Sequence, residues 1–180
     1  ASDTGTVNVT LQASDQAGGI ATQQFRIKVF SLAAPDQSAP AAPQNLTVLP
    51  GQWSRATQIT VRWQNPFDPS QISGAYYRLG AAPTHNRDGS FVAAPQVQEL
   101  RLPITLEGRV PVFIWLVDGR GNVDYRNHAR AEYRHDLTPP SSASGLRLIT
   151  ENGSTWTKAD SLVFTWQPAS DQLSGVAAYE

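Results

Sequence analysis

The side chains in this sequence best suited to meeting a ligand are aromatic. Along residues 108–123, GRVPVFIWLVDGRGNV, Val110, Val112, Ile114 and Leu116 alternate with Pro111, Phe113 and Trp115. A period of two is that of a strand with one face in a core, which puts Phe113 and Trp115 on the outer face. With Tyr76 on a neighbouring strand they would form a flat platform of the kind that stacks on sugar rings, the candidate ligand-binding face of the chain. The competing expectation is that Arg78, Arg130 and Arg134 lay their stems and guanidinium planes over the same rings.

The titratable residues offer less. Asp15 and Asp118 are each followed by a glycine three residues later. As calcium ligands they would have to gather about six to eight oxygens, and near either turn the sequence supplies no second carboxylate except Asp124. The turn itself accounts for them better, because an aspartate can accept N–H bonds within its own turn. His85, His128 and His135 have no metal-type spacing and no nucleophile elbow nearby, and are expected at the surface. No paired carboxylates, phosphate-cradling glycine loop or basic aromatic patch is present, so no catalytic, cofactor-binding or metal residue is assigned and no enzyme activity is expected. Asn8, Asn45 and Asn152 head Asn-x-Ser/Thr triplets, which are expected to stay unmodified.

A repeat positions these residues. Gly5, Val7, Val9, Asp15 and Gly18 recur 103 residues on as Gly108, Val110, Val112, Asp118 and Gly121, without a gap. Residues 46–64, LTVLPGQWSRATQITVRWQ, recur as 146–167, LRLITENGSTWTKADSLVFTWQ, with three residues added in the turn. A repeat of this length makes the chain one complete unit and two partial ones, a window on a longer array. Residues 1–30 are expected to form the last hairpin of a unit, with Val7, Val9 and Leu11 facing the same way as Phe25, Ile27 and Val29. A proline-rich linker, 31–43, precedes a complete module at 44–135, and a second linker, 136–144, precedes the opening strands of another module at 145–180. Short strands at regular spacing with turn signals between them predict an all-β sandwich.

Residues 43–48, PQNLTV, with ITVRWQNPFDPSQISGAYYRLG and EGRVPVFIWLVDGRGNVD, resemble a fibronectin type III or bacterial Ig-like module. The likeness lies in a proline-flanked first strand, Trp63 on the second strand, Tyr77 on the third, and a later strand ending in D-x-x-G-N. Residues 136–140, DLTPP, resemble the short linkers between such units in bacterial surface proteins, and the first 30 residues resemble the last hairpin of an Ig-like or cadherin-like unit. The tyrosine that the family often carries early on the later strand is Val110 here, so its corner hydrogen bond is not expected at that point. The resemblance implies a non-catalytic extracellular spacer or adhesive scaffold of a bacterial surface or secreted protein, whose partners are neighbouring repeats and cell-surface protein or polysaccharide. The alternative it implies is a glycan-binding accessory module attached to a carbohydrate-active enzyme. Within either reading, Trp53 and Trp156 recur in the turn after the first strand and are candidates for contact between modules.

Composition narrows the partners. A net charge of −1, with Lys28 and Lys158 the only lysines, gives no long-range attraction for nucleic acid or an anionic membrane. No apolar run reaches the ~20 residues of a membrane span. The absence of cysteine removes disulfides and thiolate metal sites, so each module must be held by its core.

Overall fold

The computed structural model describes residues 2–31, 35–149 and 160–180. Among them the chain has no helix and eleven strands, arranged in antiparallel sheets. It falls into two compact units, Ala1–Gln37 and Ser38–Glu180.

The first unit is a long hairpin of β1 (Ser2–Ser14) and β2 (Ile20–Ser31). Val7 pairs with Ile27 and Val9 with Phe25, so these apolar side chains share one face, as their alternation predicts. That face is open: Val7, Leu11, Phe25 and Ile27 remain 52, 63, 48 and 47% exposed. Between the strands, the Asp15 carboxylate accepts the N–H groups of Ala17 and Gly19 at 2.9 and 2.7 Å, and Gly18 takes a φ of +86°. The side chain of Val29 lies outside the described residues, as do Trp156 and Asn152.

The second unit contains the complete sandwich. One sheet orders β3 (Gln44–Leu49), β4 (Gln58–Gln64) and β7 (Glu99–Pro103). The other orders β6 (Ser90–Ala93), β5 (Ile72–Leu79), β8 (Gly108–Asp118) and β9 (Ala129–His135). Each inner face follows the sequence period. Ile59, Val61, Trp63 and Leu102 from the first sheet meet Val112, Ile114, Leu116 and Tyr133 from the second in one buried core. Beyond it, β10 (Ser144–Ile149) and β11 (Val163–Gln167) form another hairpin.

The sandwich departs from its expected limits at one end. Pro40 and Pro43, placed by sequence in the linker, are buried, and the Pro40 carbonyl accepts a 2.8 Å bond from Asn127 Nδ2. Their rings have apolar surface to bury and no N–H to satisfy, so they pack where a strand cannot continue. Tyr133, directly opposite Val110 on β9, sends its hydroxyl to the Ala56 carbonyl at 3.1 Å.

Trp63 is 4% exposed and donates its indole N–H to Asn65 Oδ1 at 2.8 Å. Removing the ring leaves a cavity and an unsatisfied acceptor. Trp63→Ala is predicted to cost about 3–5 kcal/mol in denaturant unfolding; a loss under about 1 kcal/mol would mean that β4 does not present this face to the core.

Candidate functional site

The aromatic platform expected on the outer face of β8 is not at the surface. Trp115 is 0% and Phe113 5% exposed. Tyr76 does stack on Trp115, with centroids 5.4 Å apart and planes at 10°, and Phe91 of β6 leans on Tyr76 at 4.8 Å. This tile is roofed by loops. The Trp115 indole donates to the Asn86 carbonyl at 2.9 Å, and the Asn86 side chain bonds Val123 O and Tyr125 N at 2.9 and 3.0 Å, tying the loop before β6 to the segment after β8. His128 sits edge-on to Phe113 at 5.2 Å.

The arginines expected to cover these rings do other things. Arg78 forms an ion pair with Asp88 in the roofing loop and Arg134 pairs with Glu132 at 3.7 Å, whereas Arg130 is exposed. Asp88 in turn accepts the Thr84 hydroxyl and N–H at 2.6 and 2.7 Å, which hold its carboxyl below the usual range, with Arg78 adding to the effect. The sequence carried a signal for the roof. Residues 112–117, VFIWLV, are apolar without a break, the pattern of a strand buried on both faces.

The histidines are not all at the surface either. His135 is fully buried at the end of β9, tilted against Tyr133 at 5.5 Å. Its Nδ1 bonds the Leu106 carbonyl at 2.8 Å, so that nitrogen carries the proton, and Nε2 is buried without a hydrogen-bond partner. His128 Nδ1 likewise bonds a main-chain carbonyl, that of Tyr125, at 2.7 Å.

Asp118 caps its turn as Asp15 does, accepting the N–H groups of Arg120 and Asn122, both at 2.8 Å. Asp124, the partner the sequence offered it, caps the next turn through Arg126 N at 2.9 Å. Tertiary structure supplies a different neighbour: Asp68 and Asp118 bring carboxylate oxygens within 4.8 Å of each other. Each of the pair already serves a loop, Asp68 through the N–H of Ser70 at 2.9 Å.

The densest polar network sits where β9 leaves the sandwich, at a place read from sequence as linker. Asp136 is 5% exposed. Its N–H donates to Ser54 O at 3.1 Å, its Oδ1 accepts Thr138 N at 3.0 Å, and its Oδ2 accepts Ser174 N at 3.0 Å. One carboxylate thus joins the end of β9, the linker and the loop that follows β11. Glu107 grips the linker from the other side. Its Oε1 accepts the N–H groups of Leu137 and Thr138, both at 2.9 Å, and the Thr138 hydroxyl at 2.7 Å. The Thr138 hydroxyl is the chief reason that the Glu107 carboxyl is held below the usual range, followed by the Leu137 N–H. Ser141 and Ser170 close the far side, Ser141 N to Ser170 O and Ser170 N to Ser141 Oγ, both at 2.9 Å.

Trp53 stands at this joint. It is half-buried, with the Arg109 guanidinium 6.0 Å from its ring centre, and it lines a cleft of about 230 Å³ with Arg55, Asp136, Pro139, Pro140 and Ser174. Sequence reasoning singled out Trp53 but not Asp136, Glu107 or Ser174. The available hint was the Asp136-Leu-Thr138 spacing, which suits an aspartate turn. The reach to Ser174 is tertiary.

No protein-family model matches the chain, and no curated protein is significantly similar to it in sequence.

The roof over Trp115 leaves no room at Gly89, where an added Cβ would lie 2.5 Å from Tyr77 O and 2.7 Å from the Trp115 ring. Gly89→Ala is therefore predicted to destabilise the sandwich by about 1–3 kcal/mol and to shift tryptophan emission to the red as water reaches Trp115. Unchanged stability and emission would show the loop to be a loose cover.

Proposed function

We propose that this chain is a spacer and adhesive scaffold built from tandem fibronectin type III or bacterial Ig-like β-sandwiches, serving a secreted or surface-anchored bacterial protein without catalysis of its own. The observation that carries the reading is the Asp136 joint, in which a buried carboxylate bonds the main chain of the linker and of the loop after β11. A linker with free torsions lets the ends of an array diffuse. One whose N–H groups are taken up by Asp136 and Glu107, and which carries Pro139 and Pro140, holds a direction. Fixed direction is what a stalk needs in order to present a distal element away from a surface. The sheet orders β3–β4–β7 and β6–β5–β8–β9 are antiparallel layers of an all-β sandwich, the architecture that this reading requires. Polysaccharide or protein at the cell surface is the partner this reading implies. The glycan-binding alternative rested on Tyr76, Phe113 and Trp115, and a roofed tile lends it no support.

The joint is testable by mutation. With spin labels on β9 and β11, Asp136→Ala should broaden the distribution of label distances, because Thr138 N and Ser174 N lose their acceptor. A distribution as narrow as that of the unmutated chain would remove the support for a stiff spacer.

It is also testable by pH. The folded Glu107 carboxyl titrates below its unfolded value, so its contribution is complete above that value and is lost as the pH falls through the folded one. The joint should stay narrow at neutral pH and loosen only in acid, as the pH falls below the ordinary carboxylate range. Glu107→Gln should be broader already at pH 7 and change less with acid than the unmutated chain. Equal acid responses in both proteins would assign the effect to other carboxylates.

A further inference from the structure

Side chains that stand far apart in the sequence meet on one flank of the complete sandwich. The outward positions of β9 are Arg130, Glu132 and Arg134, and the antiparallel register sets Phe113, Pro111 and Arg109 of β8 beside them in that order. Where Arg109 and Arg134 pair, residues 53–55 run along the edge of β9. Ser54 N donates to Arg134 O and Asp136 N to Ser54 O, both at 3.1 Å. This brings Trp53 to the end of the sheet, where its ring holds the Arg109 guanidinium. The row Arg130, Arg134, Arg109 and Trp53 is thus assembled by pairing of strands and is contained in no stretch of the sequence. All of it belongs to the complete sandwich.

The row carries a surplus of charge. Glu132 is the only carboxylate at these outward positions, and it is shared: its Oε1 lies 3.1 Å from Arg109 Nη1 and 3.7 Å from Arg134 Nε. Three guanidiniums less one carboxylate leave two positive charges on this flank of a chain whose net charge is −1. The neighbouring Arg78, opposite Phe113 on β5, adds nothing, because Asp88 neutralises it. Pairing with Glu132 does not withdraw the arginines from solvent. The side chains of Arg109 and Arg134 stay 61 and 44% exposed, and Arg130 is exposed. A guanidinium has five N–H donors, so most of the donors in the row face water.

We propose that this flank binds an acidic polysaccharide, a chain of carboxylate-bearing sugars lying along β9 with its carboxylates on the arginines and its hydroxyls on Glu132. Arg130 and Arg134 are four residues apart on one strand, about 13 Å, so they engage different sugars of one chain. Arginine suits the task because its planar fork takes a carboxylate by two parallel bonds. Glu132 decides between sugar and peptide. A carboxylate in the middle of the row accepts from sugar hydroxyls, whereas an acidic peptide brings it only like charge. A peptide adding to the sheet would also need the edge of β9, which Ser54 takes beside Arg134 and Asp136. This choice of partner rests on the adhesive reading above, and its failure would appear in binding alone, with the spin-label distances across the joint unchanged.

The test is titration calorimetry of the full chain with polygalacturonate at low salt, alongside its methyl ester, which keeps the sugars and removes the charge, and poly-L-glutamate. Polygalacturonate should bind saturably and more weakly as salt is added, and the ester and the polypeptide should bind far less. The double variant Arg130→Gln, Arg134→Gln should bind polygalacturonate about tenfold more weakly, with its melting unchanged because both side chains are exposed. The proposal is overturned if polygalacturonate does not bind, if the ester binds as tightly, or if the double variant keeps full affinity. Equal binding of poly-L-glutamate would also overturn it, and would make the flank a surface for acidic protein.

Discussion

The complete sandwich depends on leaving β8 no wet face. From Val112 to Asp118 every residue of this strand is buried. Its inner side chains meet the opposing sheet, as those of an antiparallel strand ordinarily do. Its outer side chains, Phe113 and Trp115, have no second sheet to meet, and two large rings left in water would make the kind of exposed patch that invites association. The chain meets this by laying two loops over them and fixing the loops with polar bonds from one residue, Asn86, which touches Trp115, Val123 and Tyr125. The long loops around β6 and after β8 therefore have a structural duty, and the glycine at 89 follows from how closely the loop must approach the ring.

Carboxylates organise the rest. Asp15, Asp68, Asp118, Asp124 and Asp171 each accept main-chain N–H groups within their own turns. A turn has donors that no strand partner satisfies, and a short acidic side chain supplies the acceptor at the right distance. Asp136 and Glu107 extend the same chemistry across elements, and there it turns a linker into a joint. The same bond that caps a turn locally thus ties distant segments together when its donor comes from the loop after β11.

The alternation in β1–β2 was legible without coordinates, and so were the turn aspartates and the all-β sandwich of the complete module. These follow from local rules: a period of two fixes which side chains share a face, and turn chemistry depends on residues a few positions apart. The repeat made them firmer, since a gapless recurrence must place Asp15 and Asp118 alike.

What the sequence did not determine is which faces are covered and by what. Alternation at Phe113 and Trp115 says only that they oppose the core. The unbroken apolar run 112–117 adds that this side is covered too, but that residues 84–90 and 123–128 are what folds back over it is encoded in no period. His135 and Asp136 read as ordinary residues at a strand end, and they are buried because Ser54 pairs alongside them and Ser174 arrives from a loop 38 residues downstream of Asp136. Local pattern decides the direction a side chain points; only the tertiary structure decides what stands there to meet it, because the contacts that bury it are made by residues far away in the chain.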